Sequence, residues 1–179
     1  MKHYQAEKGF TLLEVVVSLG LLIMVFGSAT SLLILTRESE QTSKNNLIAA
    51  YLAKEAQDLV RYRRDYNYIN LALPFNGLAV EIENGSNNPI LIDYTGQIVP
   101  ATSADVKLVN PLKINDQGFY YHNDAPEAPA TIFRRLVTST YHAASPDLPA
   151  YLDVKAEVYW QSDTKKDIYT LESQVFNWH

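Results

Sequence analysis

Hydrophobic and polar positions divide the chain into stretches with different periods. From Val15 to Thr36 no residue carries a charge, and apolar side chains occupy most positions. This run exceeds the roughly 20 apolar residues that a helix needs to cross the hydrocarbon core of a bilayer. We therefore predict that the run is helical and spans a membrane.

The helical pattern continues beyond the uncharged run. Arg37 to Asn46 is polar without Gly or Pro, and from Leu47 to Asp65 apolar residues return with a 3.6-residue period. Such a stripe is typical of a helix that packs on a globular partner. We predict one helix from Phe10 to about Asp65, with an amphipathic second half. The stripe contains Ile48, Leu52, Ala56, Leu59 and Val60.

From Asn67 onward, short β-prone segments alternate with turn-forming residues. Between Leu152 and Trp160 every second residue is apolar, and a further β-prone segment runs from Ile168 to Phe176 after a polar turn. These two segments predict an antiparallel hairpin with one buried face. Thr131 to Tyr141 is β-branched and aromatic, which predicts another strand.

A second hairpin is predicted closer to the helix. Its arms are Leu78–Glu83 and Ile90–Tyr94, and its turn is Asn84–Asn88. The segments Ala125–Ala130 and Ala143–Ala150 are predicted to be loops. Together these elements predict an α+β fold, in which a long N-terminal helix packs on an antiparallel β-sheet domain.

A single carboxylate, Glu14, lies at the start of the apolar run. An ionised side chain near hydrocarbon costs roughly 2.5 kcal/mol or more, so it is rare unless a cation pairs with it. The nearest downstream charge, Arg37, lies 23 residues further on, which is roughly 35 Å along a helix. We therefore expect the neutralising cation to come from another molecule.

The residues that precede Glu14 match a known motif. The segment Gly9–Glu14 reads GFTLLE and follows a short basic leader. It resembles the type III signal sequence of type IV pilins and type II secretion pseudopilins. The resemblance implies that a prepilin peptidase cuts between Gly9 and Phe10 and methylates the new amine of Phe10. It also implies that Glu14 neutralises the N-terminal amine of a neighbouring subunit as the filament assembles.

Softer similarities favour one class within that family. Minor pilins of the pilus-modification and pseudopilin I class have segments similar to Leu52–Ala56 through Arg64-Asp65, to Phe133–Arg135, to the strand ending at Trp160 and to Asn177-Trp178. The resemblance implies a pilin-like fold and a structural, non-enzymatic subunit. Whether the chain is a major or a minor subunit, and whether it serves a pilus or a secretion system, stays open.

The same resemblance implies a domain plan and a set of partners. The plan has a cytoplasmic leader that is removed (1–9), a transmembrane and assembly half of the helix (10–36), an amphipathic half (37–66) and an extracytoplasmic β-sheet domain (67–179). The partners are the prepilin peptidase/methyltransferase, other pilin or pseudopilin subunits, an inner-membrane assembly platform with its ATPase, and the lipid bilayer. The expected location is the bacterial cytoplasmic (inner) membrane, then a cell-surface pilus or a periplasmic pseudopilus.

Charge and alternative cleavage sites bear on this plan. Lys2 and Lys8 favour a cytoplasmic N-terminus and a C-terminal domain outside, by the positive-inside tendency. One alternative is a secretory signal peptide with Gly27–Ala29 as its cleavage site. Another is an uncut anchor with Glu14 at the headgroups. The mature chain would begin at Phe10, Thr30 or Met1, respectively.

Basic and aromatic residues at Arg61–Arg64 and beyond suggest the alternative function. Tyrosines interleave with arginines there, as in proteins that contact single-stranded nucleic acid. The alternative is therefore a membrane-anchored adhesion or DNA-uptake module that uses Arg61–Arg64 and Tyr-rich loops. Nucleic acid is the less favoured partner, because the formal net charge is -5 and because basic residues also suit the C-terminal end of a helix.

The sequence contains no set of residues that predicts catalysis or a cofactor. It has no cysteine, so no disulfide closes the domain. Its four histidines lack the spacing of a metal site. We predict no enzymatic activity, no cofactor and no metal; calcium held by loop acids is a weaker alternative. The loop acids are Asp93, Asp105, Asp116 and Asp124.

Overall fold

The described part of the chain contains one long helix and seven strands. In this computed structural model, residues 9, 11–71, 73–78, 87–122, 129–161 and 166–177 are described. The elements are α1 (Leu12–Leu71), β1 (Asn87–Ile92), β2 (Ile98–Pro100), β3 (Lys113–Ile114), β4 (Tyr120–Tyr121), β5 (Phe133–His142), β6 (Tyr151–Gln161) and β7 (Lys166–Phe176).

Helix α1 begins directly after Thr11. The backbone N–H of Glu14 donates to Thr11 Oγ1 at 3.3 Å, and that of Val15 donates to the Thr11 carbonyl at 3.2 Å. A threonine N-cap satisfies amide groups that have no partner within the first turn. The capped start therefore places Glu14 in the first turn of α1.

The end of α1 differs from the sequence expectation. The helix continues to Leu71, beyond the predicted end at about Asp65, because no Gly or Pro interrupts it before Pro74. Its last turn contains no basic residue. The interpretation of Arg61–Arg64 as side chains at the C-terminal end of the helix was therefore wrong.

By their internal contacts, residues up to Lys44 and residues from Asn45 onward form two units. In the first unit every residue of α1 from Leu12 to Gln41 is exposed. Helix α1 contains a window with a mean hydropathy of 2.3. By length and composition, α1 is thus able to cross a membrane.

The second unit contains an antiparallel sheet. Five strands lie in the order β2-β1-β5-β6-β7, and β3 and β4 form a separate pair. Val137 of β5 lies opposite Ala156 of β6, which lies opposite Leu171 of β7. The predicted strand at 131–141 and the C-terminal hairpin are both confirmed.

Strand β1 does not belong to the hairpin predicted for it. Its first half pairs with β5 and its second half with β2, through the turn that contains Gly96 at a φ of 75°. Asn87 and Asn88, assigned to the turn, lie in the strand itself. Of the predicted first arm, Leu78 lies in a turn and residues 79–83 lie outside the described residues.

The main core lies between α1 and one face of the sheet. Ala49, Ala53 and Ala56 are fully buried on the helix, and their small side chains let its backbone approach the strands closely. The predicted inward residues of β6, from Leu152 to Trp160, are at most 2% exposed. Of the predicted helix stripe, Leu52, Ala56 and Val60 are buried, whereas Ile48 and Leu59 are partly buried against the same core.

Part of the opposite sheet face is also buried, contrary to the single buried face predicted. Val106 and Val109, in the segment between β2 and β3, pack against Leu136 and Tyr159. Tyr159 is therefore only 8% exposed. The segment acts as a lid over one end of this face, a long-range contact that the alternation along β6 does not predict.

The C-terminal strand is held to the helix by polar contacts. Arg64 Nη1 donates to the Phe176 carbonyl at 3.0 Å, and Gln57 Nε2 donates to the Leu171 carbonyl at 3.0 Å. The N–H of Asn177 donates to the Ala150 carbonyl at 2.8 Å. These bonds close the domain without a disulfide.

Candidate functional site

The carboxylate of Glu14 has no cation near it in the described chain. Its backbone amide is bonded to Thr11, but no basic group among the described residues forms an ion pair with its side chain. The helix dipole at a first turn stabilises an acid by about 0.3–1 kcal/mol. That gain is smaller than the roughly 2.5 kcal/mol cost of a charge in hydrocarbon.

The hydroxyl groups further along the apolar stretch, by contrast, are satisfied within α1. Thr30 and Thr36 donate to the carbonyls four residues before them, at 2.8 and 2.9 Å. Ser31 donates to the Gly27 carbonyl at 3.2 Å, and Ser28 to the Val25 carbonyl at 2.9 Å. Such bonds remove the cost of placing a hydroxyl in lipid, whereas the side chain of Glu14 has no ion pair among the described residues.

The processing residues predicted from the sequence are only partly within the described chain. Gly9 is exposed, and a side-chain carbon added there would meet no atom within 4 Å. Phe10 lies outside the described residues.

The arginines at 61–64 are occupied by contacts within the chain. Arg61 pairs with Asp58 at 3.3 Å, and Arg64 pairs with Asp65 at 2.6 Å. The guanidinium of Arg63 lies 5.5 Å from the ring centre of Tyr66. These contacts reduce the positive charge that a phosphate backbone would meet.

The Tyr-rich loops form an aromatic cluster of their own. Tyr94, after β1, stacks on Phe119 with ring centres 5.1 Å apart, and Tyr121 approaches Tyr94 edge-on at 6.4 Å. Phe119 and Tyr94 remain 46% and 42% exposed. The rings largely contact one another, which is typical of packing between two loops.

A buried ion pair that sequence reasoning missed joins the helix to the sheet. Arg135 is fully buried on β5, and its Nη1 donates to Glu55 Oε2 at 2.7 Å and to the Leu52 carbonyl at 3.2 Å. Its Nη2 donates to the Ile92 carbonyl at 2.6 Å. Burial lowers the pKa of Arg135, while the charge of Glu55 opposes that change. Alternation along β5 was the available signal, since Phe133 and Val137 face the core.

His122 lies close to this pair and is held neutral. Both of its ring nitrogens are shielded from solvent and have no hydrogen-bond partner among the described residues. Burial, together with the positive charge of Arg135, lowers the pKa of His122 from 6.5 to about 3. The ring is therefore uncharged at neutral pH, and protonation would oppose folding.

The loop acids considered for calcium have local roles. Asp93 Oδ1 accepts from the N–H of Thr95 at 3.0 Å, and Asp105 Oδ1 accepts from the N–H of Lys107 at 2.9 Å. Asp116 is exposed, and Asp124 lies outside the described residues. Within the described ranges, no group of three or more His, Cys, Asp or Glu side chains is placed to hold a metal ion.

Comparison of this chain with known proteins gave no match. No family model matches the chain, and neither the curated proteins nor the solved structures gave a match.

Proposed function

We propose that this chain is a structural subunit of a type IV pilus-like or type II secretion filament, of the minor pilin or pseudopilin class. Its leader is cut between Gly9 and Phe10, and Phe10 is methylated. The N-terminal helix then leaves the membrane with Glu14 paired to the amine of a neighbouring subunit. The observation that carries the proposal is Glu14, a carboxylate in an apolar helix without a cation among the described residues.

The arrangement of the second unit supports the same function. A helix packed on an antiparallel sheet, with a closed C-terminal end, is a layout suited to a pilin-like head carried on an apolar helix. The two units then divide the work, since the exposed apolar residues of the first unit need lipid or other subunits to cover them. The soluble unit is left free to face the exterior.

The partners and location follow from this function. They are the prepilin peptidase/methyltransferase, sister pilin or pseudopilin subunits, and an inner-membrane platform whose ATPase drives assembly. The chain first spans the cytoplasmic membrane with its C-terminal unit outside, and it then enters a surface pilus or periplasmic pseudopilus. An adhesion or DNA-uptake role through Arg61–Arg64 is less favoured, because Arg61 and Arg64 are paired with acids of their own helix.

A substitution at Glu14 tests the charge rather than the cap. Glu14→Gln removes the charge but keeps a side chain that suits the third position of a capping box. We expect it to abolish incorporation into filaments, measured by mass spectrometry of sheared filaments. Thr11→Ala is the matched variant, because it weakens the cap and keeps the charge.

The two variants separate the two roles of this turn. Incorporation that survives Thr11→Ala and is lost in Glu14→Gln supports charge pairing. Incorporation that survives Glu14→Gln overturns the proposal. Glu38→Gln, on the same helix beyond the uncharged run, controls for loss of any acid from α1.

The N-terminus of the membrane-derived protein provides an independent test. We expect a chain that begins at Phe10 with one added methyl group on its amine. A start at Thr30 would instead indicate a signal peptide, and a start at Met1 an uncut anchor. Either of these two results contradicts the proposed processing.

A further inference from the structure

A cavity on the sheet face opposite α1 is lined by two cations, one amide side chain and two hydroxyl groups. It has a volume of about 540 Å³ and lies where the segment between β2 and β3 meets the ends of β5 and β6. This volume is within the range of small-molecule sites. Its lining residues are Lys107, Pro111, Thr131, Ile132, Arg134, Tyr159 and Gln161.

Arg134 is fixed at this cavity by the fold. It lies on β5 directly opposite Tyr159 of β6, and its Nη1 donates to the carbonyl of Val109. Val109 belongs to the lid segment and is itself fully buried. One nitrogen of the guanidinium is thus held by the backbone, while Nε and Nη2 have no protein partner in the described chain.

The other polar groups also present donors. Tyr159 Oη donates to Gln161 Oε1 at 3.1 Å, which leaves the Gln161 amide nitrogen as a donor toward the cavity. Lys107 is exposed and adds an ammonium group. Asp105 accepts from the backbone N–H of Lys107, but it does not line the cavity.

The basic residues of the same unit fall into two groups, and Lys107 and Arg134 belong to the one that has no ion pair among the described residues, together with Lys54, Arg63 and Lys166. Arg61, Arg64, Arg135 and Lys155 each pair with a carboxylate, whereas Lys107 and Arg134 have none in the part of the chain described. The chain as a whole carries a formal charge of -5. Among the described residues, this cavity is lined by two cations without an ion pair and by no acid, which favours an anion as its ligand.

We propose that this cavity binds a small phosphomonoester, with the phosphate between Arg134 and Lys107 and the organic part against Pro111 and Ile132. A phosphomonoester carries about -1.5 to -2 at pH 7, which matches two cations better than a carboxylate does. Guanidinium groups bind phosphate oxygens through paired N–H donors. The cavity is larger than a phosphate alone, and its remaining space suits a sugar-sized group.

Calorimetric titration of the full chain in an uncharged detergent tests the proposal. The ligands are a hexose phosphate, the free hexose and inorganic phosphate. We expect the hexose phosphate to bind at least about tenfold more tightly than the free hexose, since charge-assisted hydrogen bonds dominate the contact. Equal affinity for the two, or no saturable binding, overturns the proposal.

Variants assign the binding to this cavity. Lys107→Ala and Arg134→Lys should each weaken hexose phosphate binding about tenfold, the second because lysine lacks the guanidinium fork. Lys155→Ala, which removes a cation elsewhere on the same sheet face, should change nothing. Should Arg134→Lys unfold, Lys107→Ala decides, because Lys107 is exposed and its side chain forms no ion pair among the described residues.

An oligonucleotide arm distinguishes the nearest rival ligand. A single-stranded oligonucleotide that displaces hexose phosphate and binds the full chain more tightly than hexose phosphate does would overturn the proposal in favour of nucleic acid. Equal weakening by Lys107→Ala and Lys155→Ala would also overturn it, since it would indicate unspecific attraction of anions. The proposal does not depend on filament assembly, so Glu14→Gln should bind hexose phosphate as the unchanged chain does.

Discussion

Each of the two units has one charged side chain among apolar residues, and the two side chains differ in whether the described chain provides an ion-pair partner. Arg135 in the second unit is fully buried, but it has Glu55 and two backbone carbonyls as partners. Glu14 in the first unit is surrounded by apolar residues of α1 and has no cation within the described chain. Folding supplies the partners of Arg135, and we propose that another molecule supplies the partner of Glu14.

Under the proposed function, a charge serves stability in one unit and association in the other. A buried ion pair holds the fold together only while both partners are present, because loss of one leaves an uncompensated charge. An unpaired charge near lipid favours any encounter that neutralises it. Removing each charge partner should therefore affect folding in the second unit and assembly in the first.

The largest expected effect comes from Glu55→Ala. This change leaves Arg135 buried without its carboxylate, so the free energy of unfolding should fall by about 3 kcal/mol or more. Denaturant unfolding of the full chain, followed by tryptophan fluorescence of the second unit, measures it. Asp58→Ala, which breaks the exposed pair with Arg61, should cost about 1 kcal/mol or less. Similar losses in the two variants would show that the buried pair contributes no more than an exposed one.

Acid should have the next largest effect, through His122. Because its pKa is lowered to about 3 in the folded chain, the folded state stays unprotonated where the unfolded state gains a proton. Stability is therefore fully present above pH 6.5 and falls as the pH decreases, by about 1.4 kcal/mol per pH unit. Between pH 6.5 and pH 5 the loss should reach about 2 kcal/mol.

Two histidine variants isolate this effect. His122→Phe should flatten the dependence of unfolding free energy on pH between 6.5 and 5. His142→Gln should leave the contribution of His122 in place, since His142 lies elsewhere, stacked on Tyr151 at 4.5 Å and 2.8 Å from the carboxylate of Asp153. An unchanged slope in His122→Phe would contradict the assignment.

A smaller effect is expected from Arg64→Met, which removes the bond to the Phe176 carbonyl. Hydrogen bonds with a charged partner contribute about 1.5–3 kcal/mol to the free energy of unfolding. The lower value is expected here, because Arg64 also pairs with Asp65, which is exposed. Hydrogen exchange of the β7 amides should accelerate. Arg61→Met provides the control, since Arg61 contacts only the exposed Asp58 on its own helix.

The smallest expected effect on folding is that of Glu14→Gln. It should change the unfolding free energy of the second unit by less than about 0.5 kcal/mol, although filament incorporation is expected to be lost. A large change in unfolding would show that Glu14 contributes to the fold itself. With that result, Glu14→Gln and Glu55→Ala would both lower the free energy of unfolding, and the two units would not differ in the way described above.

Local periodicity predicted the elements whose partners are close in sequence. The alternation from Leu152 to Trp160 was sufficient for β6 because one face of that strand lies against the core along its whole length. The stripe of α1 was predicted for the same reason. The distant partner of β1 was not predicted, since the Asn84-Gly85 signal favours a local partner whereas Ile90 lies opposite Val137; most of the predicted first arm lies outside the described residues.

Of the candidate site, the sequence predicted only that Glu14 lacks a nearby cation in the apolar run. The positions of the charged residues indicated that Glu14 has no cation close to it further along the sequence. The structure adds the cap by Thr11, and the Thr-x-x-Glu spacing was the signal for that cap. The pairing of Arg135 with Glu55 was not predictable, because it joins residues 80 positions apart. Neither a helix period nor a strand period contains information at that distance.

The type of bond that holds the C-terminal end of β7 determines how the protein responds to its redox environment. Arg64, Gln57 and Asn177 hold the C-terminal end with hydrogen bonds, and none of these bonds depends on a thiol. The second unit should reach the same closed state in the presence of strong reductants. It therefore needs no oxidising compartment or disulfide isomerase in order to fold.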